Sequence, residues 1–180
     1  MNMTDAHGYM FGLSLSGGYP EPYLQHYGLP TNTLDVSYEP IVALWFATHR
    51  FYWLDSAQRI ATYEWQSDGA GVVYVLESPQ RLHDIRYGTE FPFYGLRAIR
   101  QQGGLVDAPP DNPDLFEQVT AIMSVAPECW DRTDERLRGY SYRSLVPDRS
   151  EDSFYDALLL HKEKAAMDAS DLARFVIDYR

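Results

Sequence analysis

The sequence predicts an α+β domain: a mixed or antiparallel sheet around a buried helix at residues 38–54, with further helices at the C-terminal end. Three observations carry this. Residues 38–54 are apolar nearly all round, which marks a helix with no solvent face. Segments 60–65 and 72–77 are short and rich in β-branched and aromatic residues, which suit a pleated, half-buried surface. Segments 153–164 and 170–179 each begin at a serine able to cap a helix.

At 180 residues the chain is expected to form a single domain, 1–180, with a helical part at 150–180. That is long enough to bury a core without disulfide staples. The single Cys129 excludes an intrachain disulfide framework and a cysteine zinc site, so a reducing, cytoplasmic setting is the expectation. No apolar run reaches the roughly 20 residues that span a bilayer, so no membrane partner is expected. The net charge of -11 argues against tight non-specific nucleic-acid binding, which needs a basic face. An acidic surface suits a basic protein partner instead.

Taken in order, residues 21–27 predict one or two helical turns entered at Pro20 and Pro22, with Gly28 just past the end. Residues 31–36 predict a short strand, with Ser37 as the cap of the long helix and Glu39 in its first turn. Asp68-Gly69 marks a turn, so 60–65 and 72–77 read as a hairpin. Residues 79–86 suggest a short helix, and 116–125 fit either a strand or a helix. Residues 108–114 and 130–150 read as loops.

The most unusual stretch is Gln25-His26-Tyr27-Gly28-Leu29-Pro30-Thr31-Asn32-Thr33-Leu34-Asp35, followed by the apolar run from Pro40 to Ala47. It sets a dense group of polar side chains against a helix with no polar face. Buried polar groups need partners, so these residues are tied either to one another or to a ligand.

These residues resemble the FRG domain family, whose members read Gln-His-Tyr-Gly-Leu-Pro-Thr-Arg-Leu-Leu-Asp-Trp-Thr and then Pro-Leu-Val-Ala-Leu-Phe-Phe-Ala. A later family element, an Arg followed by Gln-Gln-Gly, is matched by Arg97, Arg100, Gln101, Gln102 and Gly103. The resemblance covers roughly residues 19–106. Two features depart from it. Asn32 and Val36 stand where the family has Arg and Trp, and no Phe-Arg-Gly precedes the block, Phe11-Gly12 being the nearest fragment. The Arg of that upstream motif is the group the resemblance would place on the NAD phosphates, so the chain is expected to be a shortened version or to have its front half on another polypeptide.

The resemblance implies an ADP-ribosyltransferase-like fold, a bacterial or phage defence or toxin setting, and NAD as cofactor without a metal. It places His26, Thr31, Asp35, Gln101 and Gln102 as catalytic candidates, with Tyr27, Arg97 and Arg100 as cofactor-binding candidates. Breaking a nicotinamide–ribose bond builds positive charge on the ribose, so the site needs a carboxylate or dipole there. Asp35 supplies a full charge and the glutamines supply hydrogen bonds. Tyr27 offers a stacking face, and the arginines a fork for pyrophosphate. Each residue has a plainer use as well. His26 can hold a backbone carbonyl, Asp35 a turn, and Gln101-Gln102-Gly103 the end of a helix. The alternative function is a non-catalytic module that recognises a nucleotide or binds a protein through its own acidic surface. His49, His83 and His161 share no metal-ligand spacing.

Overall fold

A proline sets where the central helix begins. Pro40 sits at the first position of α1 (Pro40–Thr48), where its missing N–H costs nothing, and Glu39 caps the helix by accepting from Ile41 N–H at 3.3 Å. Ser37, expected to be the cap, instead accepts from Glu39 N–H and donates to the Gln101 carbonyl at 2.8 Å. The computed structural model describes residues 24–29, 31, 33–66, 71–77, 82–84, 95–107, 117–126, 139–165 and 175–180.

Among these residues the architecture is α+β, with small antiparallel and mixed sheets. Strand β1 (Thr33–Ser37) leads into α1, and β2 (His49–Asp55) leaves it. The order continues with β3 (Ile60–Trp65), β4 (Gly71–Leu76), β5 (Leu82–Asp84), helix α2 (Leu96–Arg100), β6 (Gly103–Asp107) and β7 (Val119–Val125). Helices α3 (Tyr142–Leu145) and α4 (Ser153–Ala165) and strand β8 (Asp178–Tyr179) complete it. One sheet runs β1-β6-β5 and is antiparallel. A second runs β2-β3-β8, with β8 parallel to β3. The strands β4 and β7 pair as an antiparallel ribbon.

Several expectations are corrected. The helix predicted over 38–54 stops at Thr48, whose hydroxyl turns back onto the Leu44 and Trp45 carbonyls. Residues 49–55 then pair with β3, because Phe51, Tyr52 and Trp53 favour extended backbone and β3 offers a partner. Segments 60–65 and 72–77 are strands but not a hairpin: β3 pairs with β2 and β4 with β7. Part of 79–86 is the strand β5, not a helix, held by the β6 edge. The ambiguous 116–125 segment is strand β7. Within 130–150, the turn α3 forms under a capping box of Ser141 and Ser144. The end of the predicted helix 170–179 is the strand β8, while Ser170 lies outside the described residues. The cap of α4 is Asp152 rather than Ser153, since Asp152 Oδ1 accepts from Tyr155 N–H at 3.0 Å.

Among the described residues three apolar clusters form the core, the smallest being Ala98 with Leu105. The first gathers Leu24, Tyr27 and Leu29 against Phe154, Tyr155 and Leu158 of α4. Another sets Val42 and Trp45 of α1 against Leu145 and Val146. Gly28 makes the first possible. It holds φ at +93°, as expected past a helix end, and a Cβ there would collide with the Ile177 side chain. Gly28→Ala is therefore expected to cost about 2–4 kcal/mol from strain plus overpacking, read as a lower urea midpoint.

Candidate functional site

A cavity of about 1070 Å³ opens between α1, β1 and the β4–β7 ribbon. Val42, Ala43, Phe46 and Ala47 line one wall from α1; Val73, Val75, Val119 and Met123 line another from the ribbon. The ribbon can sit this close because Gly71 lies directly on the Ala47 carbonyl, where no side chain fits. Polar groups converge on the cavity from three elements. His26 comes from the turn after residues 24–25, Asp35 from β1, and Arg97 and Gln101 from α2. Positions 97 and 101 are four apart, so they share a face of the helix end.

His26 is buried, its side chain only 2% accessible. Its Nδ1 lies 3.0 Å from Gln101 Oε1, and its Nε2 lies 3.9 Å from Asp35 Oδ1. Nε2 has no hydrogen-bond partner among the described residues. The Asp35 side chain is 42% accessible to solvent where it meets the cavity, so water screens it in part. Its surrounding walls nonetheless push its carboxyl above the usual carboxylate range, opposed by the charge His26 can carry.

Arg97 is more unusual. A guanidinium is rarely buried without a carboxylate beside it. Arg97 is 1% exposed and forms no ion pair with any described carboxylate. It lies over the rings of Tyr155, Tyr179 and Tyr27, with its Cζ 4.0, 4.2 and 4.8 Å from their centroids. These faces stabilise the cation by contact with the negative side of each ring quadrupole. Nη1 donates to the His26 carbonyl at 3.0 Å, while Nε and Nη2 have no partner among the described residues. Tyr63 and Tyr179, stacked nearly parallel, also line the cavity. Burial pushes Tyr63 up to about 12 and raises Tyr179 further, so both stay protonated donors at neutral pH.

The other candidates lie off the cavity lining. Tyr27 is 1% exposed, and its hydroxyl donates to Asp152 Oδ2 at 2.6 Å, so no face is left for stacking on a ligand. The Thr31 hydroxyl donates to Gln25 Oε1 and lies 2.8 Å from Thr33 Oγ1; Gln25 in turn reaches the cavity. Gln102 ends α2: it takes φ of +48°, and its Nε2 donates to the Ile99 carbonyl at 3.0 Å. Arg100 faces the surface, paired with Glu151 at 3.2 Å. The structure thus brings together His26, Asp35, Gln101 and Arg97, and leaves Thr31, Gln102, Tyr27 and Arg100 outside.

Sequence reasoning missed Tyr63, Tyr179 and Gln25, whose place depends on packing across distant elements. It also missed Asp152, which is fully buried. Its Oδ2 accepts from Tyr27 O–H and from Leu96 N–H at 3.0 Å, and its Oδ1 caps α4. The signal was present: an Asp immediately before a helical pattern is a strong cap. Among the described residues no group of His, Cys, Asp and Glu could hold a metal, and no helix is long and apolar enough to cross a membrane. No curated protein and no solved structure matches the chain. Residues 21–52, which carry His26, Asp35 and the whole of α1, match the family model of the FRG domain, and over that short stretch the chain is similar to it.

Proposed function

We propose that the cavity binds NAD and that the chain transfers or hydrolyses its ADP-ribose, as a defence or toxin component of the kind the FRG resemblance implies. One observation carries the reading: a buried guanidinium with two unpaired donor atoms lines a large cavity beside an imidazole nitrogen and a carboxylate that are also unpaired or open. Arginine donors suit a phosphate, and the apolar walls suit flat rings. Asp35 offers negative charge for the ribose as its C1′–nitrogen bond breaks. Nicotinamide leaves with the bonding electron pair, an acceptor oxygen adds to C1′, and its proton passes to His26 Nε2 or to Asp35. An ADP-ribosyltransferase-like fold is part of this proposal.

A second reading, recognition of a nucleotide without turnover, is favoured by Gln101. Both ends of its amide are already bonded inside the protein, so it has little left for a ribose. Thermal unfolding with NAD separates these readings, because a ligand bound only by the folded state raises the melting temperature. A rise with nicotinamide release supports catalysis. A rise without release supports recognition alone. No rise at millimolar NAD overturns both.

A further inference from the structure

The hydrogen bonds around Gln101 determine which nitrogen of His26 carries its proton. The Leu145 carbonyl can only accept, and it lies 2.9 Å from the Gln101 amide, so that end of the amide is Nε2. The other end, Oε1, can only accept, and it faces His26 Nδ1 at 3.0 Å. Nδ1 must therefore bear a hydrogen. A neutral imidazole has one, so Nε2 is left as a bare lone pair. That lone pair is shielded from solvent, unpartnered, and 3.9 Å from the Asp35 carboxylate.

We infer that Gln101 is a positioning residue that locks His26 in its Nδ1–H form, making Nε2 and Asp35 Oδ1 a paired acceptor for a hydroxyl or amide N–H donor of the bound ligand. Two acceptors facing across such a gap repel unless a donor stands between them, and no described residue donates a hydrogen bond to Nε2. From α2, Arg97 spends Nη1 on the His26 backbone carbonyl. From β3 and β8, Tyr63 and Tyr179 are neutral phenols on the cavity wall. Asp35 on β1 is the only carboxylate among the described residues that line the cavity. When the donor is a hydroxyl that reacts, its O–H bond breaks, the proton goes to Nε2, and the imidazolium formed is stabilised by Asp35. The arrangement also explains why Gln101 is anchored at three points: its amide at both ends and its carbonyl by Ser37.

The donor-binding half rests on the proposed ligand site; the tautomer does not. The test is long-range proton–nitrogen NMR of histidine-labelled protein above pH 8, with the His26 signal assigned by its loss in His26→Gln. The expected result is a protonated Nδ1 and a bare Nε2 in the wild type. Gln101→Leu, which removes the acceptor, should move the proton to Nε2. Gln101→Glu, which keeps an acceptor, should preserve Nδ1–H. Unchanged signals from the other histidines show that each variant is folded. A wild-type ring protonated at Nε2, or a Gln101→Leu ring still protonated at Nδ1, overturns the lock. ADP-ribose is then added. A shift at Nε2 supports the paired acceptor, and saturation binding without such a shift overturns it. A bare Nε2 in protein that ignores NAD would sink the proposed function and leave the lock standing.

Discussion

Asp152→Ala is expected to lower stability by about 3–5 kcal/mol, a large share of the roughly 5–15 kcal/mol a domain of this size has. The carboxylate is fully buried and takes three hydrogen bonds: from the Tyr27 hydroxyl, the Leu96 amide and the Tyr155 amide. Removing it orphans two buried donors, at about 1–3 kcal/mol each before neighbours relax, and a third, the Leu96 amide, that is only part-buried. The Tyr27 hydroxyl has no way out by ionising, because burial, the largest cause of its raised pKa, remains when the carboxylate is gone. Urea denaturation measures the loss, and a change under about 1 kcal/mol would contradict the account. Asp152→Asn should fall between, since one oxygen still accepts while the amide nitrogen faces donors. The functional consequence follows from connectivity. Asp152 ties the turn that carries His26 to the start of the helix that carries Arg97 and Gln101. Partial loosening there should therefore reduce ligand response before the protein unfolds.

Asp152 also illustrates which parts of this molecule can be read from its sequence. Local signals were legible: Gly28 past its turn, a short strand before the long helix, and the β-branched runs as strands. Pairing was not. A hairpin was the economical reading of 60–65 and 72–77, yet β4 finds its partner in β7, far along the chain, and nothing in either segment names the other. The end of α1 was hidden because apolar residues resume just after Thr48-His49-Arg50, so helix and strand read as one segment. At the site, His26 and Asp35 are near neighbours in sequence, and Arg97 and Gln101 lie one helical turn apart, so two short motifs gave four of the residues that converge. Tyr27 and Arg100 belonged to the same motifs but face the core and the surface. Motif membership does not report direction. Tyr63 and Tyr179 enter only through packing of β3 against β8.

Arg97 should separate stability from binding more sharply than any other residue. Arg97→Ala removes a fully buried side chain from among three tyrosine rings, and is expected to cost about 3–5 kcal/mol through the void it leaves. Arg97→Met fills nearly the same volume without the charge. The wild type bears the desolvation of an unpaired guanidinium, offset by its ring contacts at about 2 kcal/mol or more where desolvated, and by one hydrogen bond to His26. Methionine loses both the penalty and the offset while keeping the packing, so its stability should stay within about 1.5 kcal/mol of wild type in urea. A ligand present at 100 times its Kd stabilises the folded state by about 2.7 kcal/mol, an effect the Met variant should no longer show with NAD. Arg97→Lys should recover little, because a single ammonium cannot offer the planar fork that Nε and Nη2 present. A Met variant that unfolds like the Ala variant would make Arg97 a structural cation held by its rings. One that keeps its full NAD response would move phosphate recognition elsewhere. Selection for packing alone would not favour a buried, half-unpaired guanidinium over an apolar side chain of the same size. On the proposed reading, an anion bound at the cavity wall would complete the hydrogen bonds of Nε and Nη2.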